Sequence, residues 1–438
     1  MRYFTFALIA PALIALAPNF AQAAAPYTVQ AQVLLVNGSQ NESFGFAVAA
    51  TRKVAPGLLP MAIVSGLAGR AQIYLAPFAQ PGVTALTPFG APLSSGVAFD
   101  SYGLTSAINQ YAAFTLAAVG APADDAGAPD TSFNSGKAYL YSSSAAAAPF
   151  TLEAILAPPT ATQAGNFGTA IAISDTDVAI SEPRALNGSF EVGAVHIYRK
   201  ISGSWQLQTT LFGSSAGSRF GTSVALSGNT LAVGAPLQLD QTLTATGAIF
   251  VYTGAGASWT PQSTLFTADR LVDDRLGLSV SIDGDSLIAG AANDDKKAGA
   301  DAGSAYVFTR TGNAWAEQAK LRSTQAQGNE RFGQSVSLQG DEALVGAYCL
   351  SGSTAFCVGS GAVYAFKRTS GVWAGTQRIA AGLNEDRFGH SVAHSSNGIA
   401  IAGAFGVDAS STNQGGAYAL ISFAENIFRD GFEGINLQ

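Results

Sequence analysis

The sequence predicts an all-β fold, a seven-bladed propeller of four-stranded antiparallel blades, on three observations. The first is a doublet, a large apolar residue followed by Gly, that recurs about every 56 residues. It stands at Phe44-Gly45, Tyr102-Gly103, Phe167-Gly168, Phe220-Gly221, Leu276-Gly277, Phe332-Gly333 and Phe388-Gly389. A fixed period of this length marks a supersecondary unit that cannot bury its apolar face alone and stacks on copies of itself. The second is a spacing: the opening Gly and a later Gly lie 13 apart in Gly221/Gly234, Gly277/Gly290 and Gly333/Gly346, and 14 apart in Gly389/Gly403. The third is the register of the four tryptophans. Trp205, Trp259, Trp315 and Trp373 each precede an apolar residue by six, namely Leu211, Leu265, Leu321 and Ile379.

Each copy resolves into four short strands. In the copy opening at Phe332, residues 335–338 form a first strand, Gly340-Asp341 a tight turn and residues 343–347 a second strand. Residues 361–366, with small and large side chains alternating, form the third, and Trp373 to Ile379 the fourth. A large ring at a fixed place in a repeat is core, so the tryptophans pack the outer strand onto a neighbouring blade. Phe150 and Leu156 obey the six-residue spacing and give copy two its fourth strand. Tyr27 and Val33 obey it as well, ahead of any first strand, while the last copy ends on its third strand. The N-terminal strand is therefore expected to complete the C-terminal blade and close the ring, which hides edges that would otherwise template aggregation. Copy one fits least well between Phe78 and Phe99, and leaves open six blades with an irregular insert.

Residues 1–23 read as a secretory leader: Arg2, an apolar stretch from Phe4 to Ala17, then Ala21-Gln22-Ala23 as a small-x-small cleavage site. The propeller is expected over residues 24–423 and a short C-terminal tail over 424–438. No later segment is long and apolar enough to span a bilayer as a helix. The product is thus expected to be a monomer in the periplasm or outside the cell. A net charge of −7 with 12% charged residues and no basic run disfavours a nucleic-acid partner. Cys349 and Cys357 lie in one loop, and in an oxidising compartment they are expected to form a local disulfide.

The phrase Phe220-Gly221 with Val233-Gly234-Ala235-Pro236 resembles the FG-GAP repeat, the blade unit of the integrin α-subunit propeller and of many secreted bacterial proteins. Tyr102-Gly103 with Val119-Gly120-Ala121-Pro122 repeats it, and Ala291-Ala292, Ala347-Tyr348 and Ala404-Phe405 keep its register. The resemblance implies a propeller over most of the chain. Integrin-type blades carry calcium in an acidic loop between the first two strands. Here the equivalent turns, such as Asp283-Gly284-Asp285 and Gln339-Gly340-Asp341, are short and poor in acids. Candidate calcium ligands lie instead between strands two and three: Asp124, Asp125 and Asp130 in copy two, and Asp294, Asp295 and Asp301 in copy five.

Alternating strands place the loops between strands two and three, and those joining blade to blade, on one face, where function on a rigid scaffold usually resides. Arg219, Arg275, Arg331 and Arg387 directly precede opening doublets and are expected to tie each blade to its neighbour. No catalytic residues are expected. His196, His390 and His394 have no partner in sequence, and Gly213-Ser214-Ser215-Ala216-Gly217 lies in a blade-to-blade loop rather than at a strand-to-helix elbow. A non-enzymatic binding or adhesion module for a protein, glycan or surface partner is the expected function. An enzyme acting on extracellular polymers, or an architectural part of an envelope assembly, are the alternatives.

Overall fold

In the computed structural model, residues 27–33, 43–51, 60–66, 69–75, 87–95, 100–125, 134–144, 148–295, 301–324, 328–349, 359–381, 386–395, 399–406 and 415–422 are described, and every element among them is a β-strand. The leader at 1–23, the tail at 424–438, Asp130 and Cys357 lie outside the described residues. Seven antiparallel sheets follow one another around a ring. Their innermost strands, in order, are Ala47–Ala50, Thr105–Gln110, Ile171–Ile173, Ser223–Ser227, Ser279–Asp283, Ser335–Gln339 and Ser391–His394, and they number blades 1 to 7. Together they line a central cavity of about 200 Å³. Blade 1 is complete, which excludes six blades with an insert. Its outer position is filled by two short strands, Thr87–Pro88 and Leu93–Ser94, both paired to Arg70–Leu75, and this is why the six-residue spacing fails there. In blade 7 the outermost strand is Tyr27–Val33, hydrogen-bonded antiparallel to Gly416–Ser422 with Tyr27 opposite Ser422.

The opening doublet is a turn. In blade 4 the carbonyl of Arg219 accepts from Thr222 N–H at 3.0 Å, with Gly221 at φ +93°, the left-handed value that a type II turn requires at its third residue. The Gly221 N–H then turns inward and donates to the Gly234 carbonyl at 3.0 Å. The second strand that it meets, Thr230–Ala235, is buried along its whole length, so it reads as small and apolar rather than alternating.

Those small residues are where blades touch. A Cβ built on Gly290 of blade 5 would lie 1.8 Å from the carbonyl oxygen of Gly333, which opens blade 6. Gly234 stands to Gly277, Gly346 to Gly389 and Gly403 to Gly45 at 1.9 Å, so the contact between blades 7 and 1 repeats the others. A serine two residues after the doublet caps the same carbonyl of the next blade: Ser279 Oγ donates to Gly333 O at 2.9 Å, Ser335 to Gly389 O at 2.9 Å and Ser391 to Gly45 O at 3.1 Å. Apolar clusters fill each seam around this backbone contact. One joins blades 4 and 5 through Leu265, Leu287 and Phe308, and another joins blades 7 and 1 through Phe44, Ile401 and Ala417.

The tryptophans tie the outer strands to the preceding blade. Trp315 Nε1–H donates to Gln262 at 2.8 Å, Trp373 to Gln318 at 2.8 Å and Trp205 to Glu153 at 2.7 Å. Arg310 and Arg368 lie 5.2 Å above the rings of Trp315 and Trp373, and each also pairs with an aspartate of its blade's first turn, Asp285 and Asp341. Six residues along an ideal strand would put Trp315 and Leu321 on one face. A bulge in the pairing between Val307 and Phe308 reverses the alternation, so Trp315 packs in the cluster shared with blade 4 and Leu321 in the one shared with blade 6.

At the seam of blades 7 and 1, His390 donates from Nδ1 to the Phe46 carbonyl at 3.0 Å, between the rings of Phe46 and Phe405 at 4.4 and 4.6 Å. Burial, helped by nearby Arg387, pushes its pKa from the ordinary 6.5 down to about 4. The folded ring favours neutral His390, so its contribution is present above pH 6.5 and is lost as pH falls through about 4. His390→Gln, which keeps an N–H donor, is expected to show a shallower loss of thermal midpoint between pH 7 and 4 than the wild type; equal slopes would exclude His390 from the acid response. For the backbone contact, Gly290→Ala is expected to cost about 3 kcal/mol, at the upper end for overpacking, while Gly312→Asn in an open left-handed turn stays within about 0.5 kcal/mol. Denaturant unfolding of both variants checks this.

Candidate functional site

Loops between second and third strands and between blades share one face, and in blades 3 to 5 they are joined into a continuous rim. The Glu191 carbonyl accepts from Gly217 N–H at 2.7 Å, and its carboxylate pairs with Arg184 and with Arg219 at 3.2 and 3.0 Å. Gln238 donates to Ser215 at 2.9 Å, Arg270 pairs with Asp240 at 3.0 Å, and Asp273 N–H reaches the Ala245 carbonyl at 2.8 Å. The Thr242 hydroxyl, with the backbone N–H groups of Thr244 and Thr242 and with Arg270, holds the Asp240 carboxyl well below the usual range. These loops are thus fixed by their own contacts. This face nevertheless exposes seven large apolar side chains, Leu186, Phe190, Leu239, Leu243, Leu271 and Val272 on the loops and Phe212 at the end of the blade 3 outer strand, with Leu243 79% and Phe190 and Val272 each 66% exposed. Of the other exposed large apolar residues among those described, Leu152, Ile155, Leu207 and Val372 lie on outer strands and Ile201 at the end of a third strand.

The predicted aspartates sit in the expected loops, already engaged by protein donors. Asp124 is fully buried, pairs with Lys137 at 2.9 Å and accepts from the Tyr139 hydroxyl. Asp294 repeats the arrangement in blade 5, with Lys320 and with the Tyr306 hydroxyl at 2.7 Å. Asp125 and Asp295 cap their own loops by accepting from the backbone N–H groups of Asn134 and Asp301, and Asp301 pairs with Arg331 at 3.0 Å. Among the described residues no three acidic, His or Cys side chains are grouped to hold a metal ion. The first-turn acids are engaged too: Asp283 accepts from Gly340 N–H of the next blade at 2.7 Å. Cys349 is buried after the second strand of blade 6, and no described cysteine is free.

The arginines before the doublets do not all act alike. Arg219 reaches back to Glu191 of blade 3 and Arg331 to Asp301 of blade 5, as expected for ties between neighbours. Arg275 pairs with Asp273 within its own connection, and Arg387 stacks 4.8 Å from Phe405 within its own blade. Acids next to them are buried beneath the loops. The Glu330 carboxylate accepts from Ser323 and from the Tyr364 hydroxyl, and burial together with this carboxylate pushes the Tyr364 phenol up to about 12.

Blade 3 departs from the pattern, and the sequence reading missed it. Glu182 ends the second strand where blade 4 has Ala235, and His196 takes the third-strand position held by Tyr139, Tyr306, Tyr364 and Tyr418 elsewhere. The strand register brings them together: Ile180 faces His196, Glu182 faces Ala194, and His196 faces Thr210 on the outer strand. Glu182 and His196 are each 2% exposed. His196 Nε2 lies 3.0 Å from Glu182 Oε2, and Nδ1 lies 3.0 Å from Thr210 Oγ1. With Nε2–H donating to the carboxylate, Nδ1 accepts from the Thr210 hydroxyl and both ring nitrogens are satisfied. Glu182 Oε1 is buried and accepts no hydrogen bond from the protein. These three residues form the floor of a cavity of about 510 Å³ whose walls include Pro159, Leu186 and Phe212. Laying the copies over one another position by position would have exposed the substitution: one blade alone has an acid in the Gly-Ala-Pro phrase and a His at the Tyr position.

Seven four-stranded blades around a central cavity, with rigid loops gathered on one face, define a β-propeller. The FG-GAP repeat family matches residues 205–252, 259–308, 315–366 and 373–420. Each match begins on one of the four tryptophans and ends on the third strand of the next blade, so the sequence unit is offset from the blade by one strand. Residues 205–420 thus consist of FG-GAP repeats, and the seven-bladed ring that holds them is consistent with an integrin α-like FG-GAP propeller. No curated protein matches it.

Because Asp124 and Asp294 already hold ammonium groups, 5 mM calcium is expected to leave the thermal midpoint where chelator leaves it. Calcium binding the folded state at about 100 times its Kd would add about 2.7 kcal/mol and raise the midpoint clearly, and such a rise would restore the aspartate loops as a metal site.

Proposed function

We propose that this FG-GAP propeller is an extracytoplasmic, non-enzymatic binding or adhesion module that presents the loop face of blades 3 to 5 to a protein, glycan or surface partner. The leader-like residues 1–23 support export, with a disulfide between Cys349 and Cys357 fitting the same compartment. No helix among the described residues is long and apolar enough to cross a membrane. The observation that carries the reading is the group of exposed Leu, Phe and Val side chains on loops held by their own hydrogen bonds. Contiguous exposed apolar surface rimmed by polar groups marks interaction sites, and loops ordered beforehand lose little entropy on binding.

Replacing Phe190, Leu243 and Val272 together by Asp tests it. The labelled protein is expected to be retained on its target among intact bacterial cells and immobilised glycans, and the triple variant to lose at least about tenfold in affinity, about 1.4 kcal/mol, with an unchanged thermal midpoint. Equal retention of the two proteins, or no saturable retention of the wild type on any surface, would overturn the reading.

A further inference from the structure

We propose that the cavity of blade 3 receives a primary alkylammonium group, such as a lysine side chain projecting from the partner. The inference rests on the loop face being the binding surface and names the chemistry that one part of it recognises.

The chain supplies its own comparison. In blade 5 the buried Asp294 is joined by the Tyr306 hydroxyl and by the ammonium of Lys320, which stands opposite Tyr306 on the outer strand. In blade 2 the buried Asp124 has the Tyr139 hydroxyl and the ammonium of Lys137. Blade 3 also buries an acid, but Glu182 stands at the end of the second strand, in the register of Ala291 and three residues short of the place of Asp294, and His196 takes the place of Tyr306. The outer-strand residue in the register of Lys320 is Thr210, which carries no charge. Among the described residues His196 is the hydrogen-bond partner of the Glu182 carboxylate, and it engages Oε2, leaving Oε1 without a donor. The nearest arginines on these loops, Arg184 and Arg219, are both drawn to Glu191 instead.

The cavity is lined by Thr210, the residue in the register of Lys320. A carboxylate oxygen with no donor, on a floor with no cation, calls for a charged N–H donor, since burying an unpaired charge is costly and an ammonium pair is among the stronger hydrogen bonds. The walls fit the remainder of such a group. Pro159, Leu186 and Phe212 offer apolar surface along which the methylenes of an alkyl stem lie while its head reaches the acid. Leu186 and Phe212 also belong to the exposed apolar group of the loop face, so the cavity opens within the proposed interface.

Saturation-transfer NMR on the full chain with Nα-acetyl-L-lysine N-methylamide tests the proposal, beside the uncharged norleucine analogue. Saturable binding of the lysine probe is expected, weaker by about tenfold or more for the norleucine analogue and for Glu182→Gln. Thr210→Lys, which puts the protein's own ammonium at the register position of Lys320, is expected to abolish probe binding and raise the thermal midpoint, so the test does not depend on folding of the Glu182 variant. Equal binding of both probes, binding unaffected by Thr210→Lys, or no saturable binding of the lysine probe would each overturn it. Loss of probe binding with surface retention still sensitive to the Phe190, Leu243 and Val272 changes would remove only the ammonium site. Probe binding with retention insensitive to those changes would remove the binding-face reading and leave the cavity standing.

Discussion

Everything in this ring depends on backbone meeting backbone at the blade seams. Where Gly290 meets Gly333, or Gly403 meets Gly45, the chains approach so closely that even a methyl group would collide with a carbonyl oxygen. That approach sets the rest of the repeat. It requires a turn with Gly in the left-handed region to aim a carbonyl at the neighbour, a second strand of small buried residues to receive it, and a serine to satisfy the carbonyl. Large side chains then pack on either side of the contact rather than within it. The aromatic residue of the doublet, fully buried in Phe44, Phe167, Phe220, Phe332 and Phe388, does this at successive seams.

The same constraint divides the molecule into two faces with different freedom. On the face of short turns each blade is laced to the next, as Gly284 N–H to Ser227 and Gly340 N–H to Asp283, and the spacing of the strands leaves little room for variation. On the other face the loops begin beyond the seam contacts, so their sequences can change without loosening the ring. Blades 3 to 5 use that freedom to carry exposed apolar side chains on loops tied by ion pairs and caps. Blade 3 uses it differently, exchanging a Tyr and a Lys for His196 and Thr210 over a buried acid. Other buried acids, among them Asp124, Asp294 and Glu330, are joined by donors of the protein itself and serve the fold. Glu182 is satisfied in part and lines a cavity, and it is there that the proposed recognition is placed.

What the residues alone determined is whatever the ring does many times. A contact repeated at successive seams must be written as a repeated residue, so the doublets, the glycine spacing and the tryptophan register disclosed the blade and its strands, and the FG-GAP matches follow the same marks. Blade 1 resisted because its outer edge is made once, from two fragments, and obeys no period. Tertiary structure alone decided the contacts that occur once. The bulge after Val307 sends Trp315 and Leu321 to opposite seams although their spacing suggests one face, because a single extra residue reverses the alternation of a strand. Asp124 and Asp294, candidate calcium ligands by their place in the loops after the second strands, are joined to Lys137 and Lys320, whose approach depends on strand register. Glu182, His196 and Thr210 lie 14 residues apart in succession and come together only because two antiparallel pairings place them side by side, a coincidence of register that leaves no periodic trace in the chain.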